Sequence, residues 1–167
     1  IIKCFIPKII LCEKPMGNNL AEGKEIVSTC SKYNINLYVN YVRRCLPGSK
    51  EVKERIDNGL IKAPIKCVFW YSKGLKHNGS HYINLMEYWF GKLQAAQVVN
   101  KGREFPGFGF EPYAYLKFNN CEVSIIPAWE ECYSHYTIEI ISSTGRLYWN
   151  QDNLEWTKVT KSENFKG

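Results

Sequence analysis

With 167 residues, 45% of them hydrophobic, 14% aromatic and 23% charged, the chain suits one compact domain, or one domain and part of another, and its composition excludes intrinsic disorder. The net charge of +6 arises from 22 Lys and Arg against 16 Asp and Glu; the basic residues are scattered among acids, which reads as solvated surface and not as a nucleic-acid interface. No apolar run approaches the roughly 18 residues that cross a bilayer, and Ile1 to Cys12 lacks the small-residue cleavage site of a secretory leader, so neither membrane nor export is expected.

Lys8 to Cys12 is a short, mostly apolar run, the pattern of a strand covered on both faces in a parallel sheet. It ends at Glu13, Lys14 and Pro15. With Asn18 or Asn19 as N-cap and Glu22 in the first turn, Leu20, Val27 and Cys30 or Ser31 recur near a 3.6-residue period and predict a helix to about Tyr33. Ile35 to Arg44, rich in Tyr, Val and Ile, reads as a second strand, which makes a βαβ unit. Two parallel strands leave faces and edges that demand partners, so this pattern reads as part of a larger sheet.

After Pro47, Ser49 is placed to cap a short helix with Val52, Ile56 and Leu60 on one face and Gly59 at its end. Pro64 to Gly74 reads as a strand. Asn78 or Ser80 then caps a helix with apolar or aromatic residues on two faces, Ile83, Met86 and Phe90 with Tyr82, Leu85 and Trp89, hence a largely buried one. From Leu93 onward the pattern is strands, at 93–100, 113–120, 121–129, 136–145 and 146–153. Turns at Asn119-Asn120 and Thr144-Gly145 leave no room for crossover helices and predict an antiparallel meander. Lys101 to Pro112 reads as a loop whose "GFGF" does not lead from a strand into a helix, so it is no phosphate-binding turn. The fold class is α+β.

Seven cysteines, at 4, 12, 30, 45, 67, 121 and 132, form no C-x-x-C pair and point to free thiols in a reducing cytoplasm. No C-x-x-C or His-Glu cluster marks a metal site. Two places bear chemistry. Lys14 stands at the carboxyl end of a parallel strand, where open sheets bind ligands, although a lysine there also serves as a solvated edge charge. His77 and His81, four apart in "KHNGSH", open a buried helix; that spacing suits a shared metal, a hydrogen-bonded structural histidine, or a general acid or base.

Five segments in order, "CEKP" at 12–15, "NYVRRCLP" at 40–47, "DNGLI" at 57–61, "HNGSHYINL" at 77–85 and "IEIISSTGRL" at 138–147, resemble motifs of the glucose-fructose oxidoreductase/inositol dehydrogenase (Gfo/Idh/MocA) family. The chain is similar to the carboxyl-terminal two thirds of such a protein. The resemblance implies a Rossmann remnant at 1–44 and, at 45–167, an α/β domain whose open, mostly antiparallel sheet, with helices on one face, binds substrate and a second subunit. Lys14 would be the lysine that hydrogen-bonds the substrate hydroxyl, after a cis Lys14-Pro15 bond, and His81 the acid/base, with His77 beside it. Glu13, Lys14 and Pro15 would edge the cofactor, and Asn40, Arg43, Arg44, Lys73, Lys76 and Asn78 would face substrate.

The implied activity is oxidation or reduction of a sugar or nucleotide sugar with NAD or NADP, by a homo-oligomer. Two departures stand out. The family's aspartate four residues before its histidine is His77 here, and its later aspartate is Asn84, so no carboxylate of this segment supports His81. No G-x-G-x-x-G follows an early strand, so the cofactor belongs to a longer parent and none is expected to bind this chain. The alternative is a non-enzymatic dimerisation or small-ligand module derived from that family.

Overall fold

The computed structural model describes residues 4–129, 132–150 and 153–160. The chain forms two compact units, Ile1–Val42 and Arg43–Gly167. In the first unit β1 (Ile9–Cys12) and β2 (Asn36–Val39) pair in parallel, Ile9 opposite Asn36, and α1 (Leu20–Lys32) connects them. The Asn19 side chain accepts the Glu22 N–H at 3.0 Å, the N-cap that the sequence predicts.

Two expectations are corrected. Ile9 is 61% exposed and Leu11 68%, so β1 is not covered on both faces within its own unit; a two-stranded ribbon has no second layer to cover it. The second strand stops at Val39 and does not run to Arg44, because the chain turns into a 3-10 helix at Val42–Cys45.

In the second unit α2 (Pro47–Asp57) begins with proline in its first turn, and Ser49 lies inside the helix. Ser49 is therefore not its cap: the side chain is fully buried and its Oγ donates to the Arg43 carbonyl at 2.5 Å. Gly59, at φ +69°, ends the segment, while Leu60 turns outward, 54% exposed, against expectation.

β3 (Ile65–Tyr71) follows. A π-type turn at Gly74–Gly79 then leads into α3 (Ser80–Phe90). β4 (Leu93–Asn100) and β7 (Tyr113–Phe118) bracket a small hairpin, β5 (Glu104–Phe105) with β6 (Gly109–Phe110), inside the expected loop. β8 (Glu122–Pro127), β9 (Tyr136–Ser142), β10 (Gly145–Asn150) and β11 (Asn153–Lys158) complete the unit.

The seven-stranded sheet runs β11-β10-β9-β3-β8-β7-β4. It is mostly antiparallel, as expected, yet it is not a simple meander: β3 inserts between β8 and β9 and pairs in parallel with β8, Phe69 opposite Ile125. Strand alternation sends Ile65, Cys67, Phe69 and Tyr71 to one face and Lys66 and Trp70 to the other. On the inner face these side chains join Leu116, Val123, Ile125, Ile138, Ile140 and Leu147 in one core with Val52 of α2 and Tyr82, Leu85, Met86, Trp89 and Phe90 of α3. Each such side chain contributes about 1.5–3 kcal/mol of burial. Trp89 locks the two helices together, its Nε1 donating to the Ser49 carbonyl at 2.9 Å.

Candidate functional site

The chemistry-bearing residues of the second unit lie where β3 ends. Past Tyr71, Ser72 is buried and its Oγ accepts the His135 N–H at 2.8 Å. Lys73 and Gly74 both adopt left-handed conformations, φ +62° and +81°, and swing the chain into the π-type turn. Gly74 is dictated by space: a Cβ there would lie 2.3 Å from the Phe108 carbonyl oxygen. The turn groups Lys73, Lys76, His77 and Asn78, and His81 follows on the first turn of α3. Lys76 is exposed, whereas Asn78 and His81 are each only 8% exposed. The His77 ring packs on Phe108, centroids 4.5 Å apart.

Neither expected cap holds the helix by a side chain. The Ser80 hydroxyl instead turns back and donates to the Lys76 carbonyl at 2.7 Å. This closes the turn on itself.

The two arginines of the "VRRC" turn reach α3. The Arg43 guanidinium lies 4.6 Å from the ring centres of both Tyr82 and Tyr136 and donates to the Tyr82 hydroxyl. Arg44 donates to the Asn84 carbonyl at 3.0 Å and lies over Tyr88. Burial pushes the Tyr82 hydroxyl pKa up, the Arg43 charge opposing it. These contacts give both arginines a packing role along the helix that carries His81. The Oδ1 of Asn84 is buried and has no hydrogen-bond partner among the described residues.

In the first unit Glu13, Lys14 and Pro15 follow β1 directly, and the Lys14-Pro15 bond is cis as the resemblance implies. The Asn40 backbone N–H donates to the Cys12 carbonyl at 2.8 Å and its side-chain amide donates to Glu13 at 2.7 Å. Glu13, Lys14 and Asn40 thus share the carboxyl ends of the two parallel strands.

Sequence reasoning missed Glu111, fully buried, with Gly74 N–H at 3.1 Å on one oxygen and Arg103 Nε at 2.9 Å on the other. Its signal was an acid set between Phe110 and Pro112, the second after Glu104 in a glycine- and aromatic-rich loop. Among the described residues no group of three or more His, Cys, Asp or Glu is arranged to hold a metal.

No family model matches the chain. It is 32% identical over 60 residues to a D-xylose 1-dehydrogenase [NADP(+)] from Haloarcula marismortui, covering 36% of this chain and 17% of that protein. It is 35% identical over 52 residues to the rhizopine catabolism protein MocA of Rhizobium meliloti, covering 31% and 16%. In structure it resembles the WlbA dehydrogenase from Bordetella pertussis, solved in complex with NADH and UDP-GlcNAcA, with a TM-score of 0.76 at 16% identity over 92% of this chain and 56% of that one. The matched segments span about a sixth of the curated relatives, and the chain spans just over half of the solved structure.

Proposed function

We propose, from the segments matched in these relatives and the fold shared with the solved dehydrogenase, that the chain belongs with the Gfo/Idh/MocA oxidoreductases and is the substrate side of an NAD- or NADP-dependent oxidoreductase acting on a hydroxyl or keto group of a sugar or nucleotide sugar. In this reading residues 1–44 close a dinucleotide-binding domain, and 45–167 bind substrate and a second subunit. One observation carries it: the chain holds both an E-K-P lysine at the end of a parallel strand and a buried imidazole, His81, on the helix entered from the end of β3.

Oxidising an alcohol removes a proton from oxygen and a hydride from the adjoining carbon. His81 accepts the proton on an imidazole nitrogen. A lysine ammonium such as that of Lys14 can donate a hydrogen bond to an alcohol oxygen and stabilise the charge that develops on it. Along the turn Lys73, Lys76, His77 and Asn78 supply donors for sugar hydroxyls or a diphosphate, and the Asn84 Oδ1 is an acceptor for a sugar hydroxyl. A bound nicotinamide would supply the acceptor for the hydride.

The residues present fit only one edge of that cofactor. Glu13 and Lys14 offer a carboxylate and an ammonium for ribose hydroxyls, whereas at the start of α1 the Glu22 N–H is taken by Asn19 Oδ1 and the Asn18 N–H just before the helix by the Glu22 carboxylate at 2.8 Å, and no glycine-rich phosphate turn leads into it. Calorimetric titration of this chain with NAD or NADP is expected to show no appreciable binding, and clear micromolar affinity would contradict that.

The alternative, a binding or dimerisation module without catalysis, is favoured by His77 standing where the family has aspartate. It is favoured also by the outer sheet face, where Trp70, Tyr115 and Ile141 are 41%, 48% and 55% exposed. In either reading that face is covered by a second copy, and seven free thiols suit a reducing cytoplasm.

The two readings part in a nuclear magnetic resonance titration with a panel of sugars and nucleotide sugars. The dehydrogenase reading expects ligands of the panel to perturb the His81 imidazole and the Lys14 ammonium. A panel that leaves either residue untouched by every ligand would contradict it.

A further inference from the structure

We propose that Glu111 is a positioning residue: paired with Arg103, its carboxylate ties the loop between β4 and β7 to the opening of the histidine-bearing turn and so fixes how His77 meets Phe108. A fully buried carboxylate costs several kcal/mol unless both its oxygens are paired, and here both are, one by Gly74 N–H and one by Arg103. A loop that merely connected two strands would have no need of such a group. The neighbouring Pro112 carbonyl is held by the Tyr71 hydroxyl at 2.8 Å, which anchors the carboxylate to the end of β3.

Arg103 is braced in turn, its guanidinium 5.6 Å from the Phe105 ring centre and 5.7 Å from that of Trp129. From this anchored base the small hairpin Glu104–Phe105/Gly109–Phe110 carries Phe108 to the His77 ring. The loop therefore grips the turn twice, on the backbone at Gly74 and on the imidazole three residues later. Two grips at that spacing define the turn's orientation, where either alone would leave a pivot. A contribution to turnover rests on the dehydrogenase reading; the positional role does not.

Nuclear magnetic resonance on the chain tests this through hydrogen exchange at the Gly74 and Phe69 amides and through the His77 ring signals and their pH titration. In the wild type the Gly74 amide is expected to exchange within tenfold of Phe69; exchange as fast as an exposed loop amide overturns the proposal whatever any variant does. Glu111→Gln, which removes the charge that holds Arg103, is expected to speed Gly74 exchange at least tenfold with Phe69 unchanged. It should also move the His77 signals and titration midpoint toward those of Phe108→Leu. Arg103→Lys, which keeps the ion pair, should raise Gly74 exchange less than threefold.

If Glu111→Gln does not fold, Arg103→Met carries the same expectation in its place. Unchanged Gly74 exchange and an unmoved His77 titration in the folded variant would overturn the proposal. None of these readings needs substrate or cofactor, so their failure is distinguishable from failure of the dehydrogenase reading.

Discussion

Two glycines of the same region separate backbone strain from lack of room. Gly74 and Gly107 both sit in the left-handed region, at φ +81° and +78°, but a Cβ on Gly107 meets nothing within 4 Å, while one on Gly74 would stand 2.3 Å from the Phe108 carbonyl oxygen. Alanine at either position pays the left-handed penalty, about 1–2 kcal/mol. At Gly74 the oxygen must also retreat by at least 0.7 Å, from 2.3 Å to the 3.0 Å inside which real Cβ contacts are essentially never found. That movement pulls on the Gly74 N–H bond to Glu111, and leaving a buried carboxylate oxygen short costs a further ~1–3 kcal/mol. Urea unfolding followed by tryptophan fluorescence should therefore show Gly74→Ala losing about 2–5 kcal/mol, against about 1–2 kcal/mol for Gly107→Ala. Equal losses at the two positions would refute the close packing of loop on turn.

Other outcomes follow from the same contacts. Ellman's reagent at pH 8 should modify the exposed Cys4, Cys45 and Cys132 quickly and the buried Cys30, Cys67 and Cys121 only on unfolding. Burial pushes the Cys121 thiol up to about 12, from 9.0 for an unperturbed thiol, and also raises Cys67. The folded state thus keeps these thiols neutral while the unfolded chain ionises them, so stability is full below pH 9 and declines as pH rises toward 12. The urea midpoint should be lower at pH 10 than at pH 8, with a smaller drop in Cys121→Ala, the thiol accounting for on the order of 1 kcal/mol. Arg43→Met should cost about 1–2 kcal/mol through its lost contacts with Tyr82 and Tyr136, read as a lower thermal midpoint; no change would mean the guanidinium is not part of the packing. Ile141→Glu, on the outer sheet face, should shift an oligomer to monomer in light scattering, and a wild type that is a clean monomer at high concentration would contradict oligomerisation through that face.

Local signals were legible where the energy is local. The Asn19 cap and its Glu22 depend on residues three apart, and the strand Leu93–Asn100 was bounded by glycine before and a turn after. The two-faced apolar pattern of α3 announced its burial. What stayed hidden depends on distant partners. Nothing near Ile65–Tyr71 indicates that it pairs in parallel with Glu122–Pro127, more than fifty residues on, and the same holds for the buried Glu111, whose partner Gly74 is 37 residues away. Ser49 has the chemistry of a cap, but Pro47 already starts the helix, leaving the hydroxyl to the Arg43 carbonyl. At the site, the cis Lys14-Pro15 bond and the grouping of His77, Asn78 and His81 followed from motif and spacing, whereas the contacts of Arg43 and Arg44 with α3 required the packed structure.

The dehydrogenase reading gives Lys14 and His81 each a part in the oxidation or reduction of a sugar hydroxyl or keto group. Its most direct test is nicotinamide turnover by the product of the whole gene against a panel of sugars and nucleotide sugars. Activity is expected on at least one of them, with kcat reduced by roughly 100-fold or more in both Lys14→Ala and His81→Ala; full rates in either variant, or no turnover with any substrate of the panel, would contradict the dehydrogenase reading.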